Sequence, residues 1–84
     1  MSDNLRTRAA ATRAALSETA RKEHVNAWLR VHNHVTELAG KPGAKIFEVH
    51  HAVEHARKLY LAELAKGLPA DLCEKHTLAA YSPS

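Results

Sequence analysis

Two stretches of the chain repeat apolar residues at the spacing of one helix face. Residues 18–39 carry a stripe of apolar residues centred on Trp28: Val25, Trp28, Val31, Val35, Leu38 and Ala39. Residues 44–66 carry a second stripe of the same kind: Ile46, Val49, Val53, Ala56, Tyr60 and Leu64. Such spacing is typical of an amphipathic helix that packs against a partner. No stretch alternates polar and apolar residues for long enough to indicate a strand.

Capping residues and chain breaks separate these stripes. Ser17 followed by Glu18 is typical of an N-cap with an acidic first turn. The linker Gly40–Gly43 contains two glycines and a proline and ends the first helix, with Gly40 expected at the C′ position. Gly67 and then Pro69 end the second helix in the same way. Because the linker is short, the two long helices are predicted to form an antiparallel hairpin.

The flanking segments are predicted to be helical as well. Residues 1–16 form a basic arm, rich in alanine and arginine, whose apolar stripe is thin: Leu5, Ala9 and Leu16. A short helix with so little apolar surface depends on docking for its stability, so the arm is expected to be either docked or mobile. Residues 69–80 are expected to form a short helix over the hairpin, with one side made of Leu72, Cys73, His76 and Ala79. The prediction is therefore one all-α domain over residues 1–84.

The small size and the basic charge of this domain suggest that it binds a protein or a nucleic acid. A chain of 84 residues buries little apolar surface, so a homodimer or a protein partner would supply additional contacts. The formal net charge is +3, and the basic residues of the first 22 positions outnumber the acidic ones: Arg6, Arg8, Arg13, Arg21 and Lys22 against Asp3 and Glu18. A basic arm suits an acidic protein surface or nucleic acid.

The sequence also limits compartment and covalent chemistry. A single cysteine, Cys73, cannot form an intramolecular disulfide. No apolar run has the length of a membrane span, and no apolar segment follows the N-terminal arginines as it would in a secretory signal. These observations favour a cytoplasmic protein without a membrane segment.

Seven histidines are the main anomaly of the composition. One set, in which His76 is expected beside Cys73, is predicted to face inward and could meet in the core: His24, His32, His50 and His76. A second set, His51 and His55, is predicted to face outward from the second long helix. Imidazole and thiolate are preferred ligands of zinc, but the spacing matches no zinc motif, so a His-rich metal-binding bundle is kept only as an alternative. No metal site and no cofactor are predicted.

An enzymatic function is not predicted. The available nucleophiles are Ser17, Thr19 and Cys73, and none lies in a nucleophile elbow or beside an evident base with an orienting third group. The linker Gly40–Gly43 contains a lysine but lacks the spacing of a phosphate-binding loop.

The prediction is a non-enzymatic protein-binding module: a small regulator, adaptor or inhibitor of a larger protein, with a bacterial or phage source suggested by composition. The expected contact residues lie on the basic arm and on the outer face of the second long helix: Arg6, Arg8, Arg13, Phe47, His51, His55 and Lys58. The alternative is a nucleic-acid-binding accessory protein that uses the same arginines.

Overall fold

The computed structural model describes residues 2–81, with side chains from residue 5 onward. This part of the chain forms four helices and no strand: α1 (Ser2–Ala15), α2 (Glu18–Ala39), α3 (Ile46–Ala65) and α4 (Ala70–Ala80). The predicted all-α class is therefore confirmed. Met1 and residues 82–84 of the predicted single domain lie outside the described residues.

Capping residues begin and end the helices largely where the sequence predicts. The Ser17 side chain accepts a hydrogen bond from the amide of Ala20 at 3.1 Å, which caps α2. Gly67 follows α3 in the left-handed region, with φ +83°, as expected of a helix-ending glycine. Gly40 differs from its prediction, because it keeps a negative φ of −83° and caps α2 by donating its amide to the Thr36 carbonyl. The left-handed residue of this linker is Gly43, with φ +87°.

The two long helices form the predicted antiparallel hairpin. His24, near the start of α2, contacts Tyr60, near the end of α3. The short helix α4 folds back against both α2 and α3. The guanidinium of Arg30 on α2 donates to both carboxylate oxygens of Glu74 on α4, at 2.8 to 3.0 Å. This paired contact joins α4 to α2 at the surface of the hairpin.

The basic arm is docked as α1, and its partner is α3. Ala9 is 2% exposed at this contact, so a small side chain allows the two helices to approach closely. No comparable contact joins α1 to α2. The helix α3 is therefore central, with the other three packed around it.

The buried face of α2 is rotated from the predicted one. Its buried residues are His24, Ala27, Val31 and Val35, whereas Val25 is 42% exposed. Trp28, the predicted centre of the stripe, is only half-buried. The physical reason is that α2 packs against both α3 and α4, and the small Ala27 permits this approach while a large indole at the centre would prevent it.

Two further core predictions need correction. Ile46 was expected in the core but is 89% exposed, because it is the first residue of α3 and extends past the packed part of the hairpin. On α4 the buried residues are Ala70, Cys73 and Thr77, while the predicted His76 and Ala79 are exposed. In the rest of the predicted α3 stripe, Val49 is half-buried, and four residues are buried as predicted: Val53, Ala56, Tyr60 and Leu64.

Candidate functional site

The arrangement of three helices leaves a groove rich in arginine. Because α1 and α2 each pack against α3 more than against each other, a depression of about 600 Å³ remains between them, beside α3. Four of the residues that line it are arginines: Arg6, Arg13, Arg21 and Arg57. The others are apolar: Ala9, Ala10, Ala14, Leu61 and Leu64. We call this surface the arginine groove.

A second depression of about 350 Å³ continues the arginine groove along α2. It shares part of its lining with the groove, namely Arg13, Arg57, Leu61 and Leu64, and adds residues from the aromatic end of the hairpin: His24, Val25, Trp28, Leu29 and Tyr60. Val25 is 42% and Leu29 50% exposed. We call it the Trp28 hollow. Basic and apolar surface thus form one continuous depression.

Aromatic contacts order the inner wall of the Trp28 hollow. His24 Nδ1 and Tyr60 Oη are 2.8 Å apart and share a hydrogen bond, and the Tyr60 hydroxyl also donates to the His24 carbonyl oxygen at 3.3 Å. The Tyr60 ring meets the His24 ring and the Trp28 ring edge-on, with centroids 5.9 and 5.8 Å apart. The Arg57 guanidinium lies 5.5 Å from the Trp28 ring centroid. The half-buried Trp28 thus contacts both the Tyr60 ring and the Arg57 guanidinium.

The charge of this surface comes from arginine. Burial lowers the pKa of His24 below its usual 6.5; nearby Glu23 opposes this effect and Arg13 adds to it, so His24 is neutral at pH 7. Burial raises the pKa of Tyr60 strongly, so its hydroxyl keeps its proton. Arg57 has a carboxylate neighbour, Glu54, at 3.8 Å.

The other three groove arginines differ from Arg57 in their charged neighbours. Among the described side chains, no carboxylate pairs with Arg6, Arg13 or Arg21, and all three are exposed. Cations beside apolar surface without a paired anion make the groove electrostatically complementary to an acidic ligand.

Two of the predicted contact residues lie in a different depression. His51 and His55 line a polar hollow of about 720 Å³ at the opposite end of the hairpin, next to the linker Gly40–Gly43. The His55 ring lies 6.2 Å from the ring of Tyr81. This hollow is separate from the arginine groove, with which it shares no lining residue.

The remaining predicted contact residues divide further. Arg6 and Arg13 line the arginine groove. Arg8 is exposed and lines neither this groove nor the polar hollow beside the linker. Phe47 is 65% exposed, with the Lys45 ammonium 5.8 Å from its ring, and Lys58 is exposed. The seven predicted residues therefore do not form one surface.

Three of the four histidines that were predicted to face inward are not buried. Only His24 of that set is buried; His32 is half-buried against Trp28, and His50 is exposed. His76 is also exposed, 3.5 Å from a carboxylate oxygen of Glu63. Within residues 5–81, no three side chains of the metal-ligating kinds His, Cys, Asp and Glu come together in a group that could hold a metal ion.

Cys73 is a core residue. It is fully buried, its thiol donates to the Leu68 carbonyl at 3.4 Å, and burial raises its pKa to about 11. A thiol in this state has little nucleophilic character at neutral pH. His76, which was predicted to face inward, contacts Glu63 at the surface instead of the thiol.

Sequence reasoning missed Arg21 and Arg57 as members of the site. Arg57 is one residue from the predicted Lys58, and a step of one residue turns the side chain by about 100° around the helix. The sequence did contain one signal for Arg57: it precedes Tyr60 by three residues, and Tyr60 belongs to the core stripe of α3. Arg21 could be found only by knowing that α1 lies beside α2 on α3.

Across residues 2–81, no helix combines the length and apolar character that crossing a bilayer requires. Comparisons of the chain with known protein families, with curated proteins and with solved structures give no significant match.

Proposed function

We propose that the chain is a non-enzymatic protein-binding module, a small regulator, adaptor or inhibitor of a larger protein, and that the arginine groove is its binding surface. The observation that carries the proposal is the combination of four arginines with an apolar lining in one groove. Three of these arginines have no carboxylate partner among the described side chains.

The residue types of the groove favour a protein ligand. Arginine and tryptophan are enriched among the residues that contribute most to protein interfaces, and Trp28 contacts one of the groove arginines, Arg57, directly. Val25 and Leu29 add exposed apolar surface at the same place. A binding surface needs such apolar contact beside its charges, since exposed ion pairs alone contribute little affinity.

The polar groups near the groove support binding rather than catalysis. His24 and Tyr60 satisfy each other by hydrogen bonding and are both buried. The buried Cys73 thiol lines neither the arginine groove nor the Trp28 hollow. His24 is therefore hydrogen-bonded to a tyrosine that keeps its proton, and not to a serine or cysteine nucleophile.

Nucleic-acid binding is the second candidate, because the same four arginines could contact phosphates. Phosphate contacts would make binding fall steeply with salt, by orders of magnitude between low and moderate concentrations. A gel shift at low salt with single-stranded and duplex oligonucleotides tests this candidate.

A pull-down from an extract of the source organism tests the first candidate. The bait proteins are the wild-type chain, Arg13→Glu and, as the control with an equal change of charge, Lys75→Glu on α4. A protein that binds the wild type and Lys75→Glu after nuclease treatment, but not Arg13→Glu, is the expected result.

Two outcomes would oppose the proposal. Loss of the captured protein on nuclease treatment would favour the nucleic-acid candidate. A fourth bait, Arg8→Glu, tests the other outcome, because Arg8 lies on α1 outside the groove. Equal loss with Arg8→Glu and Arg13→Glu would attribute binding to the charge of α1 as a whole.

A further inference from the structure

The position of the arginine groove among the helices suits a helical ligand. It lies between α1 and α2 and beside α3, which is the space that a further helix occupies in a helical bundle. Recognition of an amphipathic helix in such a groove is a recurrent mode of peptide binding.

The spacing of the arginines specifies where charge is needed. Arg6 and Arg13 are seven residues apart on α1, which is two helical turns or about 10.5 Å along the axis. A ligand helix beside α1 repeats its own side chains with the same period. Carboxylates seven residues apart on that helix would therefore face both arginines.

The apolar lining of the arginine groove favours a helix over a phosphate backbone as the ligand. Ala10, Ala14 and Leu61 line the groove together with the arginines, and the Trp28 hollow adjoins it. An acidic amphipathic helix brings an apolar stripe beside its carboxylates, whereas a phosphate backbone offers charge without such a stripe. The groove as a whole is thus complementary to the helix.

From these observations we infer that the arginine groove receives an acidic amphipathic helix of the partner protein. Its carboxylates pair with Arg6, Arg13 and Arg21, and a large apolar side chain of the ligand enters the Trp28 hollow. This inference rests on the proposed function and adds the chemistry of the partner segment to it.

Fluorescence anisotropy with a labelled peptide tests the inference on the full chain. The probe is a helical peptide of about 18 residues, roughly 27 Å long, with glutamates seven residues apart beside a leucine stripe. One control peptide replaces the glutamates by glutamine, and a second keeps the composition but breaks the seven-residue spacing. Trp28 is the chain's single tryptophan, so its fluorescence reports occupation of the hollow independently.

The expected result is saturable binding of the first peptide with a change in Trp28 emission. Arg13→Glu weakens this binding roughly tenfold, while Lys75→Glu leaves it within about twofold. The glutamine peptide and the peptide with broken spacing bind at least several-fold more weakly. Circular dichroism of both variants verifies that each remains folded, as expected for exposed positions.

Three results would overturn the inference. One is equal binding of the peptides with and without seven-residue spacing. Another is equal loss with Arg13→Glu and Lys75→Glu. The third is failure of the peptide to bind while the pull-down still recovers a protein that depends on Arg13, in which case the proposed function stands and the acidic helix is wrong.

Discussion

Replacing Tyr60 by phenylalanine removes a buried hydroxyl that joins α3 to α2. Tyr60 is 4% and His24 5% exposed, and the hydroxyl lies 2.8 Å from the Nδ1 atom of the histidine. The substitution keeps the ring and its edge-on contact with Trp28. It therefore tests the hydrogen bond with little change in packing.

The substitution is expected to lower stability because it leaves the buried ring nitrogen of His24 without its hydrogen-bond partner. A typical hydrogen bond contributes about 0.5 to 1.5 kcal/mol net, whereas leaving its buried partner unsatisfied costs about 1 to 3 kcal/mol. The His24 carbonyl retains its helical hydrogen bond within α2, so the ring nitrogen carries the main penalty. We expect Tyr60→Phe to lower the free energy of unfolding by about 2 kcal/mol, or the melting temperature by roughly 10 °C for a chain of this size.

Urea and thermal unfolding followed by circular dichroism measure this loss. The matched control is Tyr81→Phe, because the Tyr81 hydroxyl has no hydrogen-bond partner among the described residues. A double-mutant cycle with His24→Leu then isolates the pair, and the double variant should lose less than the sum of the single ones. If Tyr60→Phe is no more destabilising than Tyr81→Phe, the buried pair does not stabilise the hairpin as argued.

Further predictions concern the core and the titrating groups. Val31→Ala should cost about 2 kcal/mol in urea unfolding, while Val25→Ala should stay within about 0.5 kcal/mol; an equally large loss with Val25→Ala would support the sequence-based stripe, which contains both valines. Because the pKa of His24 is lowered in the folded chain, the unfolded chain takes up the proton first as the pH falls below about 6.5. Stability should then decline with falling pH in the wild type and in His34→Gln; a decline just as steep in His24→Leu would assign it to other groups. At pH 8 the Cys73 thiol should react slowly with a disulfide reagent in the folded chain and quickly in urea, since a pKa of about 11 leaves roughly a hundredfold less thiolate than in an exposed cysteine. Fast labelling without urea would contradict its burial.

The hairpin could be predicted because its signals are local. Ser17 caps α2, and the residues of the linker Gly40–Gly43 end it, and both effects depend on a few neighbouring residues. The rotation of α2 could not be predicted from its own pattern. Both Ala27 and Trp28 are apolar, and the choice between them depends on the approach of α3 and α4.

The candidate site depended on a contact that leaves little trace in the sequence. The helix α1 docks on α3 through Ala9, and alanine contributes too little apolar area to mark a docking face by hydrophobicity. Without that contact, Arg6 and Arg13 belong only to a basic arm. With it, they share a groove with Arg21 and Arg57, which come from two other helices.

The central claim is that a partner protein occupies the arginine groove. Site-specific photocrosslinking tests it most directly, with the reactive side chain placed at Ala10 in the groove or at exposed Lys75 on α4. We predict that the protein captured in the pull-down crosslinks to position 10, through a segment rich in aspartate and glutamate, and not to position 75. Crosslinking from position 75 alone would contradict the claim.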